Sequence, residues 1–238
     1  MNRWERVDSA SVPGGGRMDL YRRAEELCIQ VDGRELMNSR VHGSEDALSE
    51  RAAVRLGPKP GMRVLIGGLG MGWTLAAAVR AFPEDATIVV AELVPEVVKW
   101  NRGPIGPVAG NPLLDPRVEA RVQDVNLAIR EGDWDAILLD VDNGPEGLTS
   151  SANDQLYSAA GLQRAKAALR PGGVLGIWSA APNASFNRRL HQAGFAFDEE
   201  VVRARGAAGG KRHTLWFARV SEGPARGVQP HRRHRDAW

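Results

Sequence analysis

The sequence predicts an α/β fold in which a mostly parallel sheet ends in an antiparallel β-hairpin. Short apolar runs recur after residue 62, and most are followed by a loop and a segment of helical periodicity. Continuous apolar strands separated by helices are typical of a parallel sheet that helices cover on both faces. The last two strand-like runs have no helix between them, which predicts the closing hairpin. Five parallel runs and this hairpin predict seven strands.

The N-terminal part predicts a different, smaller structure. Residues 1–16 carry no periodic apolar pattern and contain three consecutive glycines, so we predict a flexible leader there. Residues 17–43 contain alternating apolar and polar runs on either side of Asp32-Gly33. Because Asp-Gly between such runs is a strong hairpin signal, we predict a small β-hairpin unit over this range.

The main α/β domain is assigned to residues 44–220. Its first helix is expected to begin at Ser44, a residue type favoured at N-caps, since Glu45 and Asp46 then lie in the first turn. The parallel strands are predicted at 64–66, 87–91, 118–122, 136–139 and 174–178. The later helices are predicted at 73–82, 94–101, 124–131, 154–169 and 184–193. The closing hairpin is predicted from 195–202 and 213–220.

Charge and composition exclude several classes of protein. The last fourteen residues hold four arginines and one acid, whereas the whole chain is only +2, so residues 221–238 are predicted to be a basic, disordered tail on a nearly neutral body. We expect no nucleic-acid role for this tail. No run approaches the ~20 apolar residues of a membrane helix. With a single cysteine, Cys28, expected to be buried, and no signal-peptide pattern, a cytoplasmic protein is expected.

A glycine-rich segment follows the first parallel strand and opens a helix. It reads Gly67-Gly68-Leu69-Gly70-Met71-Gly72. Glycines at this point let the backbone approach a ligand, and the helix N-terminus attracts negative or lone-pair-rich groups. A tight strand-to-helix connection without a ligand is the alternative interpretation.

An acid ends the second parallel strand. Glu92 lies 20 residues after Gly72, the spacing at which an acid accepts hydrogen bonds from ribose hydroxyls. The alternative is an exposed glutamate near the helix that follows Pro95. With the glycine loop, Glu92 predicts a nucleoside-containing cofactor. A dinucleotide oxidoreductase stays possible, although its G-x-G-x-x-G pattern is not matched.

Two further acids follow the third and fourth parallel strands. Asp124 can accept a hydrogen bond from the exocyclic amine of adenine, or it can cap the helix that follows, and both roles are compatible. Asp140 begins the segment Asp140-Val141-Asp142-Asn143-Gly144-Pro145-Glu146 at the sheet edge where ligands bind. Its carboxylate could receive an amine and remove the amine's proton. A turn without function is the alternative, because Asp, Asn, Gly and Pro all favour turns.

These segments resemble the class I S-adenosylmethionine-dependent methyltransferase superfamily and, within it, the polyamine aminopropyltransferases, or spermidine synthase-like proteins. The resemblance covers roughly residues 17–220. It is carried by Val31-Asp32-Gly33, Ser39-Arg40-Val41-His42-Gly43-Ser44-Glu45, Arg63-Val64-Leu65-Ile66-Gly67-Gly68, Glu92, Asp115-Pro116-Arg117-Val118, Asp124, Trp134-Asp135-Ala136-Ile137-Leu138-Leu139-Asp140 and Leu169-Arg170-Pro171-Gly172-Gly173-Val174-Leu175.

The resemblance implies a Rossmann-like, seven-stranded methyltransferase sandwich and transfer of an aminopropyl group from decarboxylated S-adenosylmethionine to a small amine. It implies that Asp140 orients and deprotonates the amine, that Glu92 holds the ribose and that Asp124 holds the adenine amine. The implied cofactor contacts are Gly67, Gly68, Gly70, Gly72, Glu92, Asp124 and Asp140. The weaker acceptor contacts are Asp142, Glu146 and Tyr157. It implies no metal, and a possible homodimer formed through the N-terminal region.

Two other functions stay open. The family's glycine loop carries an aspartate where this sequence has Gly70, and that aspartate grips the amine of the decarboxylated cofactor. S-adenosylmethionine-dependent methyl transfer to a small acceptor is therefore the first alternative. The second is a nucleoside-cofactor-binding protein without catalysis, in which Asp140 is only a turn residue.

Overall fold

The protein folds into two β-sheets. The smaller, N-terminal sheet contributes to the hydrophobic core on one face of the larger sheet. The computed structural model describes residues 3–141, 144–145 and 155–221. Within them, a four-stranded antiparallel sheet precedes a seven-stranded, mostly parallel sheet, which confirms the predicted fold class. Asp142, Glu146 and residues 222–238 of the predicted tail lie outside the described residues.

The N-terminal sheet is larger than predicted. Its strands follow one another in space as they do in sequence: β1 (Glu5–Ser11), β2 (Arg17–Arg23), β3 (Glu26–Val31) and β4 (Arg34–Asn38). Asp32 and Gly33 both have positive φ angles, 48° and 75°, and connect β3 to β4. These angles match the hairpin turn that Asp-Gly favours, so the predicted turn is present.

Strand β1 lies where the sequence predicts a flexible leader over 1–16. The segment Glu5–Ser11 pairs with β2 as an edge strand, and Ala10 is its only buried residue. Because its side chains are mostly polar and solvent-facing, the strand lacks the apolar alternation that identified its neighbours. Backbone pairing, which leaves no trace in the hydrophobic pattern, holds it on the sheet.

The seven-stranded sheet has the order β10-β11-β9-β8-β5-β6-β7. Its strands are β5 (Arg63–Gly67), β6 (Thr87–Glu92), β7 (Val118–Val122), β8 (Trp134–Leu139), β9 (Leu169–Ser179), β10 (Ala196–Arg203) and β11 (Arg212–Arg219). Strands β5 to β9 are parallel, while β11 is antiparallel to both β9 and β10. The ends of β5, β6, β7 and β8 therefore meet at one edge, together with the connection between β10 and β11.

Helices cover both faces of this sheet. Among the described residues, they are α1 (Gly43–Leu56), α2 (Trp73–Ala81), α3 (Pro95–Asn101), α4 (Val125–Ile129), α5 (Ala159–Ala168) and α6 (Ala184–Gln192). Helix α1 begins at Gly43, so Ser44 lies inside the first turn instead of capping it. No helix in the described ranges combines the length and the apolar character needed to cross a membrane.

Alternate residues of the central strands enter two hydrophobic cores. Val64 and Ile66 of β5 pack in a cluster that includes Leu48 of α1 and Leu20 of the N-terminal sheet. Leu65 packs on the other face, in a cluster that includes residues of α4, α5 and α6. The N-terminal sheet therefore shares a core with α1 and β5, and this packing holds it over one end of the larger sheet.

Cys28 lies within β3 and is buried. Burial raises the pKa of its thiol to about 11, with a smaller contribution from the negative charge of Glu35. A protonated, buried thiol is a poor nucleophile, so its expected role as core filler agrees with its surroundings.

Candidate functional site

The glycine loop between β5 and α2 lies directly against the end of β8. Gly68 has a φ of 87°, and a Cβ atom there would lie 2.3 Å from the backbone oxygen of Asp140. The backbone nitrogen of Asp140 donates a hydrogen bond of 2.9 Å to the oxygen of Gly67. Only glycine fits position 68, because its left-handed conformation and this close contact both exclude a side chain.

The other loop glycines have different neighbours. A Cβ at Gly70 would lie 2.8 Å from Met37, which reaches the loop from the N-terminal sheet. A Cβ at Gly72 would lie 2.9 Å from the side-chain oxygen of Asn101, and one at Gly67 would lie 2.8 Å from Val125. Gly68 and Gly70 line a cavity, whereas Gly67 and Gly72 do not and instead pack against Val125 and Asn101.

Glu92 ends β6 beside this loop and is only 9% exposed. One carboxylate oxygen accepts a hydrogen bond of 2.9 Å from the backbone nitrogen of Leu69, and the other accepts one of 2.9 Å from that of Val94. Burial raises the pKa of Glu92, although these backbone donors act in the opposite direction. The donors that lower this pKa also include the backbone nitrogens of Leu93 and Gly70, and the carboxylate lines the cavity beside the loop.

Asp124 follows β7 and caps helix α4. Its Oδ1 accepts a hydrogen bond of 2.8 Å from the backbone nitrogen of Asn126, as an N-cap residue does. Asp124 and Gln123 both line the cavity. The capping interaction uses Oδ1, which leaves Oδ2 without a hydrogen bond to any described residue.

Asp140 occupies the end of β8, on the other side of the glycine loop. Its Oδ2 accepts a hydrogen bond of 2.5 Å from the hydroxyl of Thr74 in α2. Burial raises the pKa of Asp140 above the ordinary range of aspartate, and the bond from Thr74 opposes that shift. The Thr74 contact fixes one oxygen of the carboxyl group.

A second carboxyl group, Glu45, faces the same cavity from the first turn of α1. It is 7% exposed, and both burial and the negative charge of Asp140 raise its pKa. Two buried acids that repel one another do not both ionise easily, so the pair retains a proton at a pH where ordinary carboxyl groups have lost theirs.

The hydroxyl of Ser44 connects Glu45 to His213 of β11. Ser44 Oγ lies 2.5 Å from Glu45 Oε2, to which it donates, and 2.8 Å from His213 Nδ1. Burial lowers the pKa of His213, followed by the positive charge of Lys211, which favours the neutral imidazole. The serine stands between the acid and the histidine, whereas in a hydrolase triad the histidine stands between the acid and the serine.

The cavity has a volume of about 880 Å³ and lies between the two sheets. The ends of the parallel strands form its floor, and residues of the N-terminal sheet cover it. Cover residues include Met18, Ile29, Leu36, Met37 and Asn38. The space is large enough for a nucleoside-sized ligand together with a second small molecule.

The structure describes eight of the ten predicted site residues and brings five of them together. Those lining the cavity are Gly68, Gly70, Glu92, Asp124 and Asp140. Tyr157 lies elsewhere: its ring packs edge-on against Phe186, 5.9 Å away, in the cluster on the opposite face of the sheet. This packing gives Tyr157 a core position and no place in the cavity lining.

Sequence reasoning missed Glu45, Thr74 and His213 as members of this site. They come from α1, α2 and β11, and Ser44 is 169 residues away from His213 in the chain. An acid in the first turn of a helix stabilises the helix through its dipole, and this local role was enough to account for Glu45 in the sequence. His213 had no neighbouring metal-ligand or catalytic pattern, so only the tertiary structure identifies it.

The sequence matches no family model and no curated protein. Solved structures do match its fold. A spermidine synthase from Thermotoga maritima aligns with a TM-score of 0.71 and 17% identity over 94% of this chain and 75% of that one. A spermidine synthase in complex with the transition-state analogue AdoDATO aligns with a TM-score of 0.71 and 18% identity over 94% and 76%.

The chain has a spermidine synthase-like fold. The alignment covers 94% of the chain, so it includes both the N-terminal sheet and the seven-stranded sheet. At 17–18% identity the likeness establishes the spermidine synthase-like fold alone. What the site does has to be argued from its own residues.

Proposed function

We propose that the protein is a transferase that moves an aminopropyl group from decarboxylated S-adenosylmethionine to the nitrogen of a small amine. The observation that carries the proposal is the pair of carboxyl groups, Asp140 and Glu45, beside the glycine loop in one cavity. An ammonium group placed against these acids would relieve their mutual repulsion. The spermidine synthase-like fold, and the neighbour that binds AdoDATO, support the same class of reaction.

The described residues fit such a cofactor. The Glu92 carboxylate lines the cavity at the end of β6, where ribose hydroxyls would donate to it, and Asp124 Oδ2 is available for the amine of adenine. Gly68 lines the cavity and has no side chain, so a ligand can approach the loop backbone beside Asp140. With Asp124 and Glu92 at the ends of β7 and β6, the strand order β8-β5-β6-β7 supports a pose in which the reactive end of the cofactor would lie next to Asp140.

When bound, the cofactor supplies a carbon activated by a sulfonium leaving group: the nitrogen lone pair forms the new N–C bond while the C–S pair leaves with sulfur. An alkyl ammonium has a pKa of ~10, like the lysine side chain, so the acceptor must lose a proton before it attacks. Asp140 accepts that proton, and its raised pKa makes it a better base than an ordinary aspartate. Thr74 holds the carboxyl group in place.

The first test is the substitution Asp140→Asn. We expect transfer to fall by ~10²–10⁴-fold, the usual contribution of a general base, while cofactor affinity stays within a few-fold. The measurement is transfer to a panel of small amines, with cofactor binding followed by calorimetry. Asp133→Asn is the matched control, because Asp133 is exposed and lies outside the cavity lining. An active Asp140→Asn protein would show that Asp140 is not the base.

Methyl transfer from S-adenosylmethionine is the second candidate. The observation that favours it is Gly70, which has no carboxyl group and whose side-chain space is occupied by Met37. The loop therefore offers no acid to the terminal amine of the decarboxylated cofactor. Calorimetric titration of both cofactors into the same protein separates the two functions. Tighter binding of the decarboxylated form supports aminopropyl transfer, and tighter binding of S-adenosylmethionine supports methyl transfer.

A further inference from the structure

Two cationic side chains line the cavity on the side away from the glycine loop. Arg205 and Lys211 lie in the connection between β10 and β11, and both contribute to the cavity wall. Within the described part of the chain, neither has an ion pair within 4.0 Å or a side-chain hydrogen bond. Both side chains are exposed, and without a paired carboxylate they present positive charge to an anion that enters the cavity.

The connection that carries them is anchored to the start of α1. The backbone nitrogen of Gly43 donates a hydrogen bond of 2.8 Å to the oxygen of Ala204, and a Cβ at Gly43 would lie 2.6 Å from the nitrogen of Gly206. Within the connection, Ala204 N donates to Lys211 O at 2.8 Å. The backbone of the connection is therefore held beside the helix turn that presents Ser44 and Glu45. The side chains of Arg205 and Lys211 extend from this backbone.

The strand order assigns this position to the acceptor and not to the cofactor. Glu92 and Asp124 end β6 and β7, on one side of the glycine loop, whereas β8, β9 and β11 follow on the other. Adjacent strands are ~4.8 Å apart, so the β11 end lies about 10 Å beyond Asp140, two strands away. A molecule reaching from Asp140 toward Arg205 and Lys211 would cross the end of β9.

Charge then distinguishes the two ends of that molecule. The end beside Asp140 meets a carboxyl group, which attracts an ammonium. Glu45 lies nearer the cations, because Ser44 links it to His213 of β11, but no ion pair joins it to Arg205 or Lys211 in the described structure. The far end meets two cations, which repel a second ammonium and attract a carboxylate. Glu35 also lines the cavity, but its carboxylate accepts a hydrogen bond of 2.7 Å from Asn38 and forms no ion pair with either cation in the described structure.

We propose that the acceptor is an amine that also carries a carboxylate, bound by Arg205 and Lys211 while its nitrogen reaches Asp140. The acceptor is thus an amino acid and not a diamine. The assignment of its reacting nitrogen rests on the proposed function, whereas the anionic contact rests on Arg205 and Lys211 alone.

The test compares molecules that differ only at the far end. Calorimetry measures the binding of ω-amino acids, from β-alanine to ε-aminocaproate, beside diamines of the same chain length, with and without cofactor. At the best chain length we expect the amino acid to bind at least ~10-fold more tightly, the gain of one charge-assisted contact over a repulsive one. Transfer is measured with the same series.

Two double variants separate the cavity cations from general charge effects. Arg205→Gln with Lys211→Gln should weaken amino acid binding by ~10-fold or more and leave diamine binding unchanged or improved. Arg203→Gln with Arg212→Gln removes two charges from the same hairpin, at paired positions outside the cavity lining, and should change neither.

Each outcome has a definite meaning. Diamine binding as tight as amino acid binding overturns the inference, and so does equal loss in both double variants. If Arg205→Gln with Lys211→Gln weakens S-adenosylmethionine instead of the amino acid, the cations belong to the cofactor and the inference is wrong. Failure of the cofactors to bind would overturn the proposed function, yet selective amino acid binding would still support the anionic contact.

Discussion

At the scale of single residues, the site is defined by two acids that cannot both be charged at low cost. Asp140 is held by Thr74, and Glu45 is held by Ser44, so the two carboxyl groups cannot easily move apart. Their raised pKa values mean that the ionised pair is stabilised when it binds either a proton or a cation. In the proposed reaction, the same two residues would bind the ammonium of the acceptor and accept its proton.

This pair makes stability depend on pH in an unusual direction. The pKa of Glu45 is higher in the folded state than in the unfolded chain, so the folded protein keeps a proton that the unfolded chain releases from about pH 4 upward. The free energy of unfolding therefore falls as the pH rises from about 4 toward neutrality. The contribution of the protonated acid is complete below this range and is lost above it.

Glu45→Gln should remove this penalty. At pH 8 we expect the variant to be more stable than the unmodified protein by about 1–3 kcal/mol, the cost of an uncompensated buried group, and the difference should shrink at pH 4. The pH at which transfer rises should also move downward, because Asp140 loses a repelling charge. Denaturation at both pH values and a pH–rate profile check this. Exposed Glu50 on α1 gives the control, Glu50→Gln. An unchanged pH–rate profile would show that the charge of Glu45 does not affect the ionisation of Asp140.

Glu92 provides a second test at this scale, on the cofactor side. Glu92→Ala should weaken cofactor binding by about 1.5–3 kcal/mol, the value of a charge-assisted hydrogen bond. Because Glu92 also accepts hydrogen bonds from Leu69 and Val94, stability must be measured beside calorimetry. Glu92→Gln retains an acceptor oxygen and should lose less affinity. Equal affinity in all three proteins would show that the cofactor does not reach Glu92.

At the scale of elements, the contact between the glycine loop and β8 sets the geometry of the site. Gly68 and the backbone of Asp140 are so close that the loop and the strand end behave as one unit. The hydrogen bond from Asp140 N to Gly67 O continues the ladder between β5 and β8 by one residue. The carboxyl group of Asp140 is thereby positioned by backbone contacts as well as by Thr74.

Gly68→Ala should disturb this unit strongly. The added Cβ would meet the Asp140 oxygen at 2.3 Å and would also have to adopt a φ of 87°. We expect a loss of at least about 2–3 kcal/mol in the free energy of unfolding, measured by denaturant titration. Gly132→Ala is the matched control, since Gly132 has a φ of 72° but no atom near its Cβ position, and it should lose about 1 kcal/mol. Equal losses would mean that the loop can move away from β8.

The sequence predicts best the strands that are buried on both faces. Strands β5, β6 and β8 are buried on both faces, so their apolar runs are continuous and their positions were predicted within a few residues. β1 escaped prediction because an edge strand with polar side chains has no such run. The acids at the strand ends were predicted, since parallel strands bring their ends together. Glu45 and His213 were not, since only the packing of α1 against β11 brings them to the site.

At the scale of the whole molecule, the cavity exists because two sheets share a core. Leu20, Leu27 and Ile29 of the N-terminal sheet belong to the same cluster as Leu48 of α1 and Ile66 of β5. The sheet that covers the cavity is therefore joined to its floor by buried apolar contacts and by the short connection from β4 to α1. The two parts should open together.

Hydrogen exchange tests this coupling. Amides of β2 and β3 should exchange with the same opening free energy as those of β5 and β6, and a bound cofactor should slow all four strands equally. The exchange rates are measured by mass spectrometry on the full chain in a denaturant series. Faster exchange confined to β2 and β3 would show that the N-terminal sheet opens as a separate unit.

The position of Cys28 has a practical consequence. It is the chain's single thiol, and it is buried in β3 of the N-terminal sheet with its sulfur protonated at ordinary pH. An alkylating reagent can therefore modify the native protein only when the structure around β3 opens enough to expose this thiol. The rate of modification reports that opening at a single site, and the folded protein should remain free of disulfide-linked dimers during storage in air.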